Sequence, residues 1–409
     1  RRGARARLLR QLWLDEGELS AKYRFVAAHR KPNLGIGSED FSRLATSVTH
    51  VVHCAASVAF DDPYETSFRA NVLGALNALR FSQALQAAPG SVFVAHLAIE
   101  TSYIHGRQVY ALARENEINF PRNYYNNYYE LTKAMASIEA EHFMLASGLR
   151  LTQLCPSIVI GEAASGNNRG DTKVVNAPVN LFGRAFQGAE RKGRGGWVDR
   201  SKASMLAHLA CFFPGDPSAQ INLITVDRVA AGILAALKRP EAIGERIHLA
   251  NDRRITPEQM ARIVSEELGV KIKLTEPTLH RTVALPLLTR VLKRLKQERV
   301  AQMIQKMTNV FGGYSEWGQP VHEVGNDVRV LGLPAERPDV EDAFRMLCRH
   351  NRWVQGFGKV KDADELSRRE RRWREFLRGL EERTGQPACR LPPEVFAAEV
   401  ARGLSYERG

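Results

Sequence analysis

The sequence has 409 residues, of which 44% are hydrophobic and 25% charged, proportions typical of a globular protein large enough for two domains. It has no apolar run long enough for a transmembrane helix, and its five cysteines show no metal-ligand spacing, which favours a reducing, cytoplasmic setting without a bound metal. The formal charge of +13 does not indicate nucleic-acid binding, because basic residues alternate with acids, as over 368–375, and no nucleic-acid-binding motif accompanies them.

The first part of the chain predicts alternating helices and strands. Arg5 to Trp13 has the pattern of a basic helix, and Tyr23 to Ala28 that of a strand. Residues 48–54 are apolar almost throughout, as expected for a parallel strand covered on both faces. A helix is predicted over 64–86, and the next strand over 91–97.

A helix with reactive side chains is predicted from about Tyr128 onward. Tyr129 and Lys133 stand four residues apart, which puts both side chains on one helical face. A phenol titrates near pH ~10 in water, so a tyrosine that acts at neutral pH needs a nearby cation, and Lys133 is placed to be that cation. The same spacing also arises by chance on exposed helices, so the pair alone leaves both interpretations open. Tyr128 has Thr132 at the matching offset and lacks such a partner.

The order of elements resembles the extended short-chain dehydrogenase/reductases: strand, loop with Thr101, Tyr-x-x-x-Lys helix, then a strand over 151–161 that contains Pro156. The Ala-Ala-Ser-Val-Ala-Phe run of residues 55–60 resembles one branch, the NADPH-dependent thioester reductases and fatty acyl-CoA reductases. The resemblance covers roughly residues 1–275. It implies an α/β, Rossmann-type doubly wound parallel sheet with a smaller C-terminal substrate domain, NADPH as cofactor, and an acyl-CoA or acyl-carrier substrate.

The resemblance also implies roles for individual residues. Thr101 falls where the family keeps its catalytic Ser or Thr, Tyr129 would deliver a proton, and Lys133 would hold the ribose and lower the pKa of Tyr129. Tyr103 and His105 are equally compatible with substrate contact and with loop packing. The residues that the resemblance assigns to the cofactor are Arg1, Arg2, Ala55, Ala56, Asn71, Tyr129, Lys133, Pro156, Ser157 and Ile158.

The sequence departs from the family pattern at several places. Ala27 and Ala28 stand where the family has a Gly-Asp pair that meets the adenine, which puts cofactor affinity in doubt. Glu100 stands where a Ser is more common, and Cys155 replaces an Arg. As a lone cysteine without a histidine-based activation pattern, Cys155 is interpreted as a buried small residue.

The family's Gly-rich phosphate-binding turn has no counterpart near the start of the sequence. We therefore expect that the first strand, this turn and the second strand, about fifty residues in all, precede Arg1 in the natural protein. On this interpretation Arg1 and Arg2 are the remnant of a clamp for the 2'-phosphate of NADPH. The alternative is that both are solvated residues at a chain end.

The sequence predicts three regions: a partial NADP-binding Rossmann domain over 1–162, to which 221–238 return, a substrate-binding region over 163–345, and a charged helical extension over 346–409. Leu285 to Ile304 is amphipathic and basic on one side, a pattern compatible with peripheral membrane contact, with partner docking, or with ordinary domain packing. A terminal apolar stripe predicts packing on the body of the protein or on another subunit in a homo-oligomer; it consists of Leu366, Trp373, Phe376, Leu377 and Leu380.

The predicted activity is reduction of an acyl thioester to an aldehyde, or on to the alcohol, with Thr101 and Tyr129 stabilising or protonating the developing oxyanion. A nucleotide-sugar epimerase or dehydratase, or a hydroxysteroid-type dehydrogenase, shares the fold and the Thr/Tyr/Lys set. A non-catalytic NADP-binding scaffold is a third hypothesis, supported by the departures at Ala27, Ala28 and Glu100.

Overall fold

The structure, a computed structural model, describes residues 32–108, 111–118, 124–171, 175–192, 212–269, 271–294, 298–315, 318–358, 360 and 362–404. Three sequence predictions lie outside the described residues: the basic helix of Arg5 to Trp13, the strand of residues 23–28, and the assignment of Arg1 and Arg2 to a phosphate.

The strands, in chain order, are β1 (His50–His53), β2 (Ala95–Ile99), β3 (Leu112–Ala113), β4 (Leu151–Pro156), β5 (Ile158–Ile160), β6 (Phe212–Pro214), β7 (Leu223–Thr225), β8 (Arg246–Leu249), β9 (Lys273–Thr275) and β10 (Val321–His322). The main sheet has four parallel strands in the order β1-β2-β4-β8. Three parallel pairs, β10-β3, β5-β7 and β6-β9, lie outside it.

The α-helices are α1 (Ser38–Ala45), α2 (Tyr64–Phe68), α3 (Gly74–Ala87), α4 (Tyr128–Ser147), α5 (Asn176–Lys192), α6 (Val226–Ala236), α7 (Pro257–Leu268), α8 (Pro277–Leu279), α9 (Leu285–Arg294), α10 (Glu298–Ser315), α11 (Asn326–Arg329), α12 (Val340–Trp353), α13 (Ala363–Thr384) and α14 (Pro393–Gly403). Short π-helical turns join α2 to α3 (Arg69–Leu73) and α8 to α9 (His280–Ala284). None of the described helices is long and apolar enough to cross a membrane.

The main sheet is covered on both faces because successive residues of a strand point to opposite sides. Leu97 of β2 packs in a buried cluster with Ile247 of β8 and Val229 of α6. Its neighbour Ala98 packs in a second cluster on the other face, with Leu79 of α3. The prediction of a Rossmann-type α/β sheet is confirmed, and the carboxyl ends of β1, β2 and β4 meet at one edge.

The strand predicted over 151–161 is two strands, since neighbouring residues donate to different partners. The backbone N–H of Ser157 donates to the Leu249 carbonyl at 3.0 Å, whereas that of Ile158 donates to the Asn222 carbonyl at 3.3 Å. The chain therefore leaves the main sheet after Pro156 and continues as β5 beside β7.

The amphipathic segment of Leu285 to Ile304 spans two helices, α9 and α10, which pack side by side. Its apolar residues Leu288 and Leu292 are buried in a cluster with Ile304 and with Leu181 of α5. The structure therefore shows that this apolar face packs within the protein.

The C-terminal stripe packs on the chain's own helices. Trp373 of α13 is fully buried, and its ring lies 5.9 Å from that of Phe396 in α14. Its Nε1 donates to the Ser165 carbonyl at 2.8 Å, and Asn167 Nδ2 donates to Glu370 of α13 at 3.1 Å. These contacts anchor the loop that follows β5 to the C-terminal helices.

Replacing Trp373 by Ala is expected to lower the free energy of unfolding by about 3–5 kcal/mol, because it removes a buried aromatic side chain and leaves a cavity. Chemical denaturation of the variant measures the loss. Arg372→Ala, at an exposed position of the same helix, is the matched control and should change stability by less than about 0.5 kcal/mol. Equal effects of the two substitutions would contradict the packing described.

Candidate active site

Three strands of the main sheet end at one edge, and each is followed by a candidate residue. Ala55 follows β1, Thr101 follows β2, and Ser157 follows β4. In open parallel sheets, ligands bind at this carboxyl edge. Helix α4 begins beside it, so Tyr129 and Lys133 are brought to the same place.

Tyr129 lies in the first turn of α4, where the Asn127 side chain caps the helix by accepting the Glu130 N–H at 2.9 Å. Its ring is half-buried and lies 5.4 Å from that of Phe60. Burial raises the pKa of Tyr129, while nearby Lys133 and a hydrogen bond with Thr101 act in the opposite direction. The phenol is therefore protonated at neutral pH and has a cation at hand.

Thr101 links the ends of two strands. Its hydroxyl donates to the Pro156 carbonyl at 3.3 Å and accepts the Tyr103 N–H at 3.4 Å, which caps the 3-10 turn Ser102–His105. The side chain is 5% exposed. Thr101 and Tyr129 thus place two hydroxyl groups at the carboxyl edge of the sheet.

Lys133 is held by a partner that the resemblance did not assign. Its Nζ lies 2.9 Å from Glu100 Oε2 and donates to the Ile99 carbonyl at 2.7 Å, with both side chains buried. Burial alone would lower the pKa of Lys133, but the Glu100 carboxylate outweighs this, so the pKa is raised and the ammonium stays charged. Burial raises the pKa of Glu100, and Lys133 opposes that rise. The unusual residue before Thr101 is the counter-ion of the lysine.

Asn71 lies in the π-helical turn between α2 and α3, a kind of turn frequent at functional sites. Its Oδ1 accepts the Ser57 N–H at 2.7 Å, and its Nδ2 donates to the Ser57 carbonyl at 3.2 Å and to Thr132 Oγ1 at 3.0 Å. Both amide hydrogens are used, so Asn71 acts on the site through the loop it holds against α4.

The edge residues fit a nicotinamide dinucleotide. Ala55 is exposed and Ala56 is half-buried. Because the side chains of these two residues are single methyl groups, a ligand can approach their backbone closely. Ser157 is 5% exposed, and its Oγ has no hydrogen-bond partner among the described residues. A buried hydroxyl of this kind suits an amide or hydroxyl of a ligand. Burial raises the pKa of Cys155 to about 12, which agrees with its interpretation as an inert residue.

Two further residues complete the site, and sequence reasoning missed both. Glu130 accepts the Asn126 N–H at 2.9 Å and the Tyr314 hydroxyl at 2.5 Å, and it is fully buried. The Tyr314 ring lies 5.8 Å from that of Phe60 and 5.4 Å from that of Tyr103. Glu130 could have been noticed beside Tyr129, but no local pattern marks Tyr314 at the end of α10.

Three buried histidines support the loop after Thr101. His105 Nε2 lies 3.1 Å from His248 Nε2, and His322 Nε2 donates to the Ser102 carbonyl at 3.1 Å. Burial lowers the pKa of His105 to about 2, of His248 to about 4 and of His322 to about 3. Tyr103 and His105 are both buried, so the structure shows them in loop packing. Within the described parts of the chain, no group of histidine, cysteine or acidic side chains is arranged to hold a metal.

A doubly wound sheet with Thr101, Tyr129 and Lys133 at its carboxyl edge defines an extended short-chain dehydrogenase/reductase, a class of NAD(P)-dependent oxidoreductases. The chain belongs to the family described as male sterility protein, whose sequence model matches residues 4–233, more than half of its length. This match confirms the family resemblance that the sequence motifs indicated.

The fold is similar to those of several solved structures. The terminal R domain of the myxalamid PKS-NRPS pathway is 22% identical, with a TM-score of 0.65 over 87% of this chain and 80% of that one. A thiolation-reductase di-domain of an archaeal non-ribosomal peptide synthetase is 17% identical, with a TM-score of 0.56 over 86% of this chain and 68% of that one.

UDP-glucuronic acid 4-epimerase from Bacillus cereus, solved with NAD, is 13% identical, with a TM-score of 0.50 over 83% of each chain. No curated protein matches the sequence significantly. At these identities the structural likeness establishes the fold.

Removing either partner of the Lys133–Glu100 pair is expected to cost about 3–5 kcal/mol of stability, because the other charge is left buried and alone. Glu100→Gln, Lys133→Met and the double variant form a cycle that urea denaturation can follow. The double variant should lose much less stability than the sum of the losses of the two single variants. The exposed pair Arg43–Asp40, at 2.6 Å, is the control, and Asp40→Asn should cost less than about 1 kcal/mol. Additive losses at Glu100 and Lys133 would rule out the coupling.

The free energy of unfolding should fall as the pH drops from about 6.5 towards 4. Burial lowers the pKa of His322 from 6.5 in the unfolded chain to about 3 in the folded protein. Between these two values the unfolded chain binds a proton that the folded protein does not, so a falling pH favours unfolding. His322→Gln keeps a donor for Ser102 but does not titrate, so its stability should fall by about 1.4 kcal/mol less per pH unit. Burial raises the pKa of Glu115 to about 7, so this group makes the free energy of unfolding rise as the pH falls. It does so equally in the parent protein and in His322→Gln.

Urea denaturation between pH ~7 and ~5 measures these slopes. His142→Gln, which makes the same substitution at an exposed position of α4, is the matched control. A His322→Gln slope equal to that of the parent protein would show that His322 is not held neutral in the fold.

Proposed function

We propose that this protein is an NADPH-dependent reductase of acyl thioesters, carried by coenzyme A or by a protein-bound pantetheine, which yields an aldehyde or, after a second reduction, an alcohol. The observation that carries the proposal is the pair of hydroxyl groups on Thr101 and Tyr129 beside the charged Lys133, in a chain of the male sterility protein family. The residues proposed as catalytic are therefore Thr101, Tyr129 and Lys133.

When bound, the reduced nicotinamide would supply a hydride to the thioester carbonyl carbon. The Tyr129 hydroxyl would donate to the carbonyl oxygen, where negative charge develops as the carbon–oxygen double bond opens, and the Thr101 hydroxyl would do so by exchanging its bond to the Pro156 carbonyl for one to the substrate. Tyr129 would transfer its proton to that oxygen, and Lys133 would stabilise the phenolate left behind. Collapse of the hemithioacetal then breaks the carbon–sulfur bond and releases the thiol and an aldehyde.

The residues proposed to hold the cofactor lie along the carboxyl edge. Ala55 and Ala56 allow the backbone to approach it closely, and the Ser157 hydroxyl, together with the backbone of Pro156 and Ile158, would meet the carboxamide side. Asn71 would act by holding the loop of Ser57. NADPH is proposed in place of NADH for two reasons. The family resemblance implies it, and Arg1 and Arg2, which lie outside the described residues, are interpreted as the remnant of a clamp for its 2'-phosphate.

A carrier-bound substrate is supported by one of the similar structures, in which a thiolation domain and a reductase domain form one di-domain. A nucleotide sugar fits less well, although an epimerase shares the fold. The ring of Phe60 lies beside Tyr129, and the hydroxyl of Tyr314 next to Phe60 is already bonded to Glu130, so these two residues offer little hydrogen bonding to sugar hydroxyls.

Tyr129→Phe is expected to lower kcat for acyl-CoA reduction by about 10²–10⁴, because it removes the proton donor and leaves the ring packing intact. Tyr128→Phe is the matched control on the same helix, at a ring that is 49% exposed, and should retain activity. Oxidation of NADPH by the protein expressed from its complete coding sequence, with aldehyde and alcohol identified as products, is the measurement.

Equal activity of the two variants would remove Tyr129 from the mechanism. If NADPH bound but no thioester were reduced, the sugar or steroid reactions would replace the proposal. Failure to bind NADPH at all would overturn the reductase proposal and favour a non-catalytic role.

A further inference from the structure

The helical segment of residues 277–294, which comprises α8, the π-helical turn after it and α9, has a second apolar face. Its buried face packs against α5 and α10. On the other side, Leu279, Val283 and Leu287 are 55%, 55% and 56% exposed. These three residues follow one another at intervals of four, about one helical turn each, so they form an apolar stripe along the segment. Exposed leucines that stand singly are ordinary, whereas a continuous stripe indicates a binding surface.

The same segment carries cations and no acid. Arg281, Arg290, Lys293 and Arg294 are all exposed, and the segment contains no Asp or Glu. Arg290 and Arg294 stand three and seven residues after Leu287, which puts them on its side of α9. Within the described parts of the chain, Arg290, Lys293 and Arg294 form no ion pair. The apolar stripe is thus bordered by positive charge that the fold does not neutralise.

The cations gather around a groove of about 550 Å³ between α9 and α10. Its lining includes Arg281, Arg290, Lys293 and Arg294, and no acidic residue contributes to it. Like charges around one groove repel one another, and an anion that lies between them relieves the repulsion. Phosphate groups suit this site, because arginine and lysine both bind phosphate oxygens.

These features favour a lipid bilayer over a protein partner. Interfaces between proteins are rich in aromatic side chains, but the segment contains no Phe, Tyr or Trp. A bilayer requires no complementary shape: aliphatic side chains enter the boundary of the acyl chains, while arginine and lysine stay at the level of the phosphates. Anionic headgroups also match the excess of cations.

We propose that the segment of residues 277–294 binds the protein to the surface of a membrane that contains anionic phospholipids. The segment would lie in the plane of the interface, with its apolar stripe in the acyl-chain boundary and its cations among the headgroup phosphates. This contact goes beyond the proposed reaction and does not depend on it.

Sedimentation of the full-length protein with phospholipid vesicles tests the proposal. Vesicles of equal parts phosphatidylcholine and phosphatidylglycerol should bind it at least about tenfold more tightly than pure phosphatidylcholine, since each cation near an anionic surface contributes about fivefold. Raising the salt concentration from about 0.1 M to about 1 M should weaken this binding, because salt screens the attraction.

The role of the cations is tested by replacing Arg290, Lys293 and Arg294 together by Gln. This variant should bind the anionic vesicles more than about tenfold more weakly. The matched control removes three exposed cations of α13 in the same way: Arg371, Arg372 and Arg378. It changes the net charge equally and should bind like the parent protein. Equal losses in the two variants would show that overall charge attracts the protein, and would overturn the assignment to this segment.

The role of the apolar stripe is tested at its centre. Leu287→Ser should weaken binding by about tenfold, because a leucine side chain is no longer removed from water. In Leu287→Trp, the fluorescence of the added indole should shift to the blue on anionic vesicles and be quenched by lipids with brominated acyl chains. Leu234→Trp places the same reporter at a 58% exposed position of α6 and should show neither change.

Equal binding to anionic and neutral vesicles, or a Leu287→Trp emission that anionic vesicles leave unchanged, would overturn the proposal. So would self-association of the chain that Leu287→Ser abolishes in a protein that binds no vesicles, since the stripe would then be an interface between copies. These readouts need neither NADPH nor a thioester, so their failure leaves the proposed function untouched.

Discussion

The site depends on one buried charge. An ammonium group loses its hydration when it is buried, which costs several kcal/mol unless an opposite charge and hydrogen bonds replace the water. Lys133 meets this requirement with Glu100 at 2.9 Å and the Ile99 carbonyl at 2.7 Å, both at the end of β2. Since Lys133 belongs to α4, the pair fastens this helix to the strand and so sets the position of Tyr129, one helical turn earlier.

A second carboxylate, Glu130, directly follows Tyr129 in α4. Glu130 binds the backbone N–H of Asn126 and the hydroxyl of Tyr314, and it joins Glu100 and burial in raising the pKa of Tyr129. The phenol is thus kept protonated, while Lys133 favours the phenolate. This balance suits a group that gives up its proton only as charge develops on a neighbouring oxygen.

The chemistry and the apolar wall come from different parts of the chain. Thr101, Tyr129 and Lys133 lie within some thirty residues, whereas Tyr314 comes from α10, far along the sequence. Tyr314 links the two, because its hydroxyl binds Glu130 and its ring contacts those of Phe60 and Tyr103. A change in the later helices can therefore alter the surroundings of the catalytic groups without touching them.

Local periodicity was enough to predict much of the fold and part of the site. The apolar runs at 48–54 and 151–161 predicted β1 and β4, and the four-residue spacing placed Tyr129 and Lys133 on one face of α4, because side-chain direction within an element follows from its repeat. The strand predicted over 91–97 begins at Ala95 instead, since strand bounds depend on which neighbour accepts each backbone hydrogen bond.

The sequence by itself thus determined the main strands and helices of the sheet region and the common face of Tyr129 and Lys133, whereas Thr101 was assigned by the family resemblance and Glu100 was marked only as a departure from it. Tertiary structure decided what these residues touch: Glu100 pairs with Lys133, Asn71 binds Ser57 and Thr132, and Tyr314 reaches Glu130. Such contacts join residues far apart in the chain. They depend on how whole elements pack, and no repeat along the sequence encodes that.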